Sequence, residues 1–206
     1  MTAKDRPQIY LITPPVIDLA SFVPRLASVL DAVDVACLRL ALAGHDEDAM
    51  GRAADACRAV AHDRDVAIVI AEHIKLAERH GLDGVHLMDA ARSVRLARKD
   101  LGADAIIGAW CGASKHAGMA AGEAGADYVC FGPLAETALH NGALAERDLF
   151  AWWSEVIEVP VVAEGALTAA LVRDFAPVTD FFALGEEIWS TPDPAATLKA
   201  LVAAMG

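Results

Sequence analysis

No apolar run in this chain approaches the ~20 residues that a membrane-spanning helix needs; the longest, at 66–71 and 159–163, fall far short. No membrane span is expected. Cysteine is scarce and scattered: Cys37, Cys57, Cys111 and Cys130 form no C-x-x-C pair and have no neighbouring Cys/His spacing that suggests zinc. They read as reduced thiols, three of them in apolar segments where cysteine packs as a small hydrophobe. Residues 1–8 mix Lys4, Asp5 and Arg6 with a proline and lack the apolar stretch of a signal peptide, so a cytoplasmic location is expected. Basic residues are outnumbered, 17 to 29 acidic, for a net charge of −12. The resulting field repels polyanions and argues against nucleic acid or anionic lipid surfaces as partners. A small phosphorylated ligand would need a local patch of amides or cations working against it.

Hydrophobic residues make up 55% of the sequence, enough for one sizeable core, and no linker or low-complexity tract divides residues 1–206. Short β-rich runs recur at 9–13, 35–40, 66–71, 84–87, 106–111, 128–132, 159–165 and 180–185. Stretches of helical periodicity lie between them, at 18–32, 46–61, 91–101 and 192–204 among others. Apolar strands alternating with amphipathic helices imply a parallel sheet covered on both faces, and eight such units fit a single-domain α/β fold, the closed (β/α)8 TIM barrel. A doubly wound open sheet is the runner-up.

Local punctuation agrees. Gly125-Ala126-Asp127-Tyr128 launches a strand and Gly132-Pro133 ends it. Thr168 is placed as an N-cap, and Pro192 for the first turn of the last helix. Trp152 and Trp153 point about 100° apart on a helix, so one of them is expected at a contact between copies of the chain, a homo-oligomer such as a dimer.

In such a barrel the chemistry sits at the C-terminal ends of the strands. In order and spacing, Ile9-Tyr10-Leu11-Ile12-Thr13, Leu38-Arg39, Gly84-Val85-His86-Leu87, Ile106-Ile107-Gly108, Gly125-Ala126-Asp127-Tyr128 with Phe131-Gly132-Pro133, and Val159-Pro160-Val161-Val162-Ala163 with Gly165 resemble the thiamine phosphate synthase and thiazole tautomerase (TenI-like) family over nearly the whole chain. The resemblance implies a transferase of thiamine biosynthesis. It joins hydroxymethylpyrimidine diphosphate to a thiazole phosphate, with Mg2+ on the diphosphate and amide-rich loops after the late strands holding phosphate. Its logic is neutralisation of a leaving diphosphate.

Carried over position by position, the resemblance assigns Arg39 to the diphosphate, while Cys37 and Ala41 stand where the family has glutamine and lysine. Glu72 occupies the place of a magnesium-binding aspartate. Ala91 replaces a second such ligand, leaving Asp89 as the other metal candidate. Trp110 and Cys111 fall at the end of strand five, where the family has a serine, and the kept Thr137 and the lysine-replacing His140 fall in an anion-binding loop. Gly165, Ala166 and Gly185 belong to the phosphate loops, now flanked by Glu164, Glu186 and Glu187. A carboxylate ~6 Å from a phosphate charge costs ~3 kcal/mol per charge pair at an effective dielectric near 20. Weak diphosphate binding and slowed synthesis are the expectation.

Each candidate carries two readings. Arg39 either clamps a phosphate bidentately or pairs with Glu72 or Glu164 across the barrel mouth. Glu72, Asp89 and Glu164 form either a metal- or amine-binding cluster or a solvated, salt-bridged group. His86 reads as structural, held by a backbone carbonyl, whereas His140 is the acid–base candidate. Trp110 offers a stacking face to a ring; Cys111 has no base beside it in the sequence. The functional alternatives are a non-catalytic barrel that binds a small heterocycle or a partner protein, and an enzyme on a less anionic substrate using Glu72, His140 and Asp89.

Overall fold

The computed structural model describes residues 6–44, 46–136 and 143–206. Its strands are β1 Gln8–Ile12, β2 Val35–Leu40, β3 Ala67–Ala71, β4 Gly84–Leu87, β5 Ile106–Trp110, β6 Tyr128–Phe131, β7 Val161–Glu164 and β8 Phe181–Leu184. All are parallel and pair in chain order, and β8 returns to β1 to close the barrel. Around it lie α1 Leu19–Leu30, α2 Glu47–His62, α3 Ile74–His80, α4 Val94–Leu101, α5 Lys115–Ala124, α6 Arg147–Val156, α7 Ala169–Phe175, the short α8 Glu186–Trp189 and α9 Pro194–Ala203. The expected (β/α)8 barrel is the fold. Among the described residues no helix is long and apolar enough to cross a membrane.

The strands are buried on both faces because each is sandwiched between the helical layer and the barrel interior. One core fills the space between strands and helices. A second, smaller one fills the barrel, built on Tyr10, Cys37, Val69, Tyr128, Cys130, Val162 and Ala183. β7 begins later than its apolar run, since Pro160 has no N–H for the ladder, and ends before Gly165, whose φ of +99° leaves the strand region.

The aspartates that precede alternate strands have a structural task. Asp83, Asp127 and Asp180 accept from the backbone amides of Ile68, Ile107 and Val161 at 2.7, 2.7 and 2.8 Å. Each carboxylate thus ties the start of β4, β6 or β8 to the strand before it. These bonds lie at the N-terminal ends of the strands, the face that carries stability rather than catalysis.

Helix starts follow local chemistry. Asp18, Asp46, Ser114, Thr168 and Asp193 all cap with their side chains, Thr168 as expected. Pro192 is a correction: the last helix starts at Pro194 behind the Asp193 cap, which accepts from the Ala196 amide at 2.9 Å, so Pro192 lies outside it. The tryptophan pair divides as its geometry requires. Trp153 is fully buried against Phe131, whereas Trp152 is half-buried with the Lys115 ammonium 3.1 Å from its ring centroid.

Candidate active site

The loops at the C-terminal ends of β1, β2, β7 and β8 enclose a cavity of about 690 Å³. Arg39, Gly165, Ala166 and Gly185 all line it, so these four candidates converge on one place. A second cavity, about 670 Å³, lies at the opposite end, between the starts of β1 and β2 and the helix α9. Barrel chemistry belongs to the C-terminal face, which selects the first.

The conformation of this mouth is strained in a patterned way. Glu72, Ala90 and Ala166, in the loops after β3, β4 and β7, have φ of +61°, +55° and +54°, a left-handed backbone that glycine adopts without cost. Ala166 thus keeps a glycine-shaped loop beside Gly165. At Gly165 itself an added Cβ would come within 2.9 Å of Pro133, so only glycine lets the loop close on its neighbour.

Arg39 ends β2 pointing inward and is only 4% exposed. Its Nη2 donates to Oε1 of Glu164 at 2.6 Å, and the Cys130 Sγ donates to the other oxygen, Oε2, at 3.1 Å. Of the pairings open in the sequence, Glu164 is therefore the partner. Both side chains face the barrel axis, whereas Glu72 stands exposed at the end of β3. Burial alone would favour loss of the guanidinium proton; Glu164 outweighs it and holds Arg39 charged, with its pKa raised. The Nε and Nη1 atoms are buried and, among the described residues, have no hydrogen-bond partner.

Opposite, the Glu187 carboxylate accepts from the Gly185 amide at 2.9 Å and from the Leu167 amide at 3.1 Å. Those amides belong to the loops after β8 and β7, where barrels of this kind commonly seat phosphate. An internal carboxylate occupies that seat. Trp189 closes the cavity wall, its indole Nε1 donating to the Ile12 carbonyl at 2.6 Å.

Beneath the mouth a polar chain runs through the barrel. The Tyr10 and Tyr128 hydroxyls lie 2.7 Å apart, and the Tyr128 hydroxyl is 3.0 Å from His86 Nδ1. His86 was expected to lean on a backbone carbonyl; it meets a phenol instead, stacked on the same ring. Burial, reinforced by Arg39, pushes the His86 pKa well below the usual imidazole range, so it is neutral near pH 7. Burial raises both phenols, which stay protonated. Among the described residues His86 Nε2 has no hydrogen-bond partner.

Asp89, Trp110 and Cys111 are not part of the cavity wall. Asp89 accepts from the Ser93 hydroxyl at 2.6 Å through Oδ2, while among the described residues its buried Oδ1 has no hydrogen-bond partner. Trp110 packs against the barrel-interior cluster. Cys111 is in the outer core, its Sγ donating to the Ala109 carbonyl at 3.5 Å, and burial pushes its thiol up to about 12. That environment suits a packed side chain and not a thiolate. Thr137 and His140 lie outside the described residues. Among the described residues no three His, Cys, Asp or Glu side chains gather as metal ligands.

Sequence reasoning noticed Glu187 as an added charge but not as the occupant of the seat. It missed the phenol pair altogether, although these are the chain's two tyrosines and both fall inside strands.

Known proteins resemble this chain along nearly its whole length. The family described as "Thiamine monophosphate synthase" matches residues 9–183. A thiamine-phosphate synthase of Rhodospirillum centenum is 41% identical over 198 residues, covering 93% of this chain and 94% of that protein. One from Hyphomonas neptunium is 40% identical over 212 residues, covering 97% and 95%. Among solved structures, a thiamine phosphate pyrophosphorylase from Pyrococcus furiosus superposes with a TM-score of 0.82 at 20% identity, over 96% of this chain and 95% of that one, a likeness of fold. A barrel with its cavity at the strand C-termini, matched along nearly its whole length by these relatives, belongs to the thiamine monophosphate synthase family.

Proposed function

We propose that this chain is a transferase of the thiamine-phosphate synthase kind, joining hydroxymethylpyrimidine diphosphate to a thiazole acceptor in the cavity at the mouth of the barrel. The observation that carries this reading is the convergence of Arg39 with the Gly165 and Gly185 loops on one cavity, in a chain 41% identical to a thiamine-phosphate synthase. Arg39 supplies the buried positive charge. Its Nη2 donates to Glu164, which orients the guanidinium at the cavity wall.

Magnesium belongs to this reading as the family's diphosphate counter-ion. The donor chemistry fits: among the described residues Asp89 has a buried carboxylate oxygen with no hydrogen-bond partner, and Glu72 is exposed on the adjacent loop. Magnesium typically takes one or two carboxylates together with substrate phosphates, so Glu72 and Asp89 would hold it. When bound, it would neutralise charge on the departing diphosphate.

The test is direct. Purified protein is supplied with hydroxymethylpyrimidine diphosphate, Mg2+ and either a thiazole phosphate or the corresponding thiazole alcohol, and release of inorganic diphosphate is followed. Diphosphate release that depends on an acceptor is the expected result, slower with thiazole phosphate than the ~1 s⁻¹ at the low end of typical enzymes. No acceptor-dependent release with either acceptor would end this reading.

A further inference from the structure

An anionic substrate must reach this mouth against a net charge of −12. That field is screened beyond about 8 Å at physiological ionic strength, so the charges on the rim itself decide what approaches. On the β7 and β8 side the cavity wall carries Glu164, Glu186 and Glu187, and its one cation, Arg39, is committed to Glu164. Four strands round from β8, the loops after β3 and β4 lead into Lys75, in the first turn of α3, and into Arg92 and Arg95, at and just before the first turn of α4. All three are exposed, and among the described residues none of their side chains makes a hydrogen bond or ion pair. Helical side chains lean toward the N-terminus of their helix, which in a barrel lies at the mouth, so Lys75 and Arg95 are directed back toward the rim. The two loops are neighbours: Ala71 pairs with His86 in the sheet, and the Glu72 amide donates to the His86 carbonyl at 2.9 Å.

Local physics does not place these cations. A positive side chain in the first turn of a helix opposes the helix dipole, and carboxylates are the stable choice there, as with Glu47 and Asp48 in α2 and Asp148 in α6. Helices α3 and α4 have no acidic residue in the first turn and carry a cation instead. Departures from a local rule gather at functional sites. Each loop also holds a carboxylate three residues before its cation, Glu72 before Lys75 and Asp89 before Arg92, yet among the described residues neither pair forms a salt bridge, and Asp89 Oδ1 is buried with no hydrogen-bond partner. Cations and carboxylates left unpaired side by side suit a ligand that brings both signs, a diphosphate with its divalent counter-ion.

We propose that Lys75, Arg92 and Arg95 form a cationic rim that captures the diphosphate group and directs it to the β3–β4 side of the mouth, away from the carboxylates of β8. This rests on the synthase reading for the pyrimidine that the diphosphate carries, and on the rim alone for the anion. The rim governs the encounter and the hold on the anion, and not the rate of the chemical step.

The experiment compares two variants of equal net charge. Calorimetry with inorganic diphosphate and Mg2+ is run on the wild type, on the rim variant Lys75→Gln/Arg92→Gln/Arg95→Gln, and on the control Arg52→Gln/Arg173→Gln/Lys199→Gln. The control removes three exposed cations from α2, α7 and α9, none of them in a mouth loop. Thermal melts show that each protein is folded. The rim variant should bind diphosphate about tenfold or more weakly than the wild type, and the control within about twofold of it. Added salt should weaken the wild type more than the rim variant. Steady-state turnover supplies the second readout: the rim variant should show a raised KM for hydroxymethylpyrimidine diphosphate at unchanged kcat. Equal affinity in all three proteins, equal weakening in the rim variant and the control, or no diphosphate binding by the wild type overturns the rim. Rim-dependent diphosphate binding without acceptor-dependent turnover keeps the rim and ends the synthase reading. Turnover with a KM that the rim variant leaves unchanged keeps the synthase reading and ends the rim.

Discussion

Glu164→Leu should be among the most damaging single substitutions at the barrel mouth, because it leaves Arg39 charged and buried with only the Tyr10 ring, 5.7 Å from its Cζ, to face it. The side chains of Arg39 and Glu164 are 5% and 18% exposed, so the pair belongs with buried ion pairs and not with surface ones worth about 0–1 kcal/mol. Removing one member of a buried pair costs about 3–5 kcal/mol. Two features push toward the upper end: among the described residues Nε and Nη1 already have no hydrogen-bond partner, so the guanidinium would lose its last acceptor, and Cys130 loses its acceptor as well. Urea denaturation at pH 7 should show the midpoint falling at constant m-value. In a domain of this length the melting temperature should drop by about 6–20 °C, from about 2–4 °C per kcal/mol. The double variant Arg39→Met/Glu164→Leu should regain most of the loss, since a well-packed apolar pair is often as stable as a buried ion pair. A Glu164→Leu protein within about 1 kcal/mol of the wild type would show that water reaches the guanidinium and that the pair is effectively a surface one. A double variant no better than the single would show that packing, and not the stranded charge, carries the cost.

Two further outcomes follow from the barrel interior. His86 has a folded-state pKa well below the ordinary value of 6.5, so the unfolded chain binds a proton that the native one refuses. Its contribution is present above pH 6.5 and is lost as pH falls, by up to about 1.4 kcal/mol per pH unit; measured from pH 7 to 5, the stability of the wild type relative to His86→Gln should decline, and a pH-independent difference would refute a neutral buried His86. Gly108→Ala would place a Cβ 1.9 Å from the Tyr128 ring, which must move and take its bonds to Tyr10 and His86 with it. Overpacking of this kind costs about 1–3 kcal/mol, and a variant as stable as the wild type in urea, with unchanged near-UV circular dichroism, would show that the phenol pair is not held by that contact.

The alternation of apolar strands with amphipathic helices pointed to a parallel sheet covered on both faces, because each strand must be covered and each helix must bury one stripe; that the sheet closes into a barrel, and not an open doubly wound one, is decided by the pairing of β8 with β1. The same local physics made Thr168 a cap and marked residues 125–128 as a strand start. Strand ends were legible only to a residue or two, as at Pro160, where a missing N–H and not the apolar run sets the limit. The site was legible as a set of positions, since the chemistry of a barrel is confined to strand C-termini, and Arg39, Gly165, Ala166 and Gly185 do share a cavity. Which charge meets which was not. Arg39 had Glu72 and Glu164 as candidates at equal sequence plausibility, and only the inward direction of the side chains on β2 and β7 chose Glu164. Glu187 read as one more repelling carboxylate; its capture of amides from two separate loops depends on their distance after the barrel has closed. His86 and Tyr128 are 42 residues apart in sequence, so their bond exists only because β4 and β6 flank β5, where Gly108 leaves room for the ring. Periodicity is a property of a segment and survives in the sequence, whereas a hydrogen bond between strands is a property of the closed sheet and is decided by it.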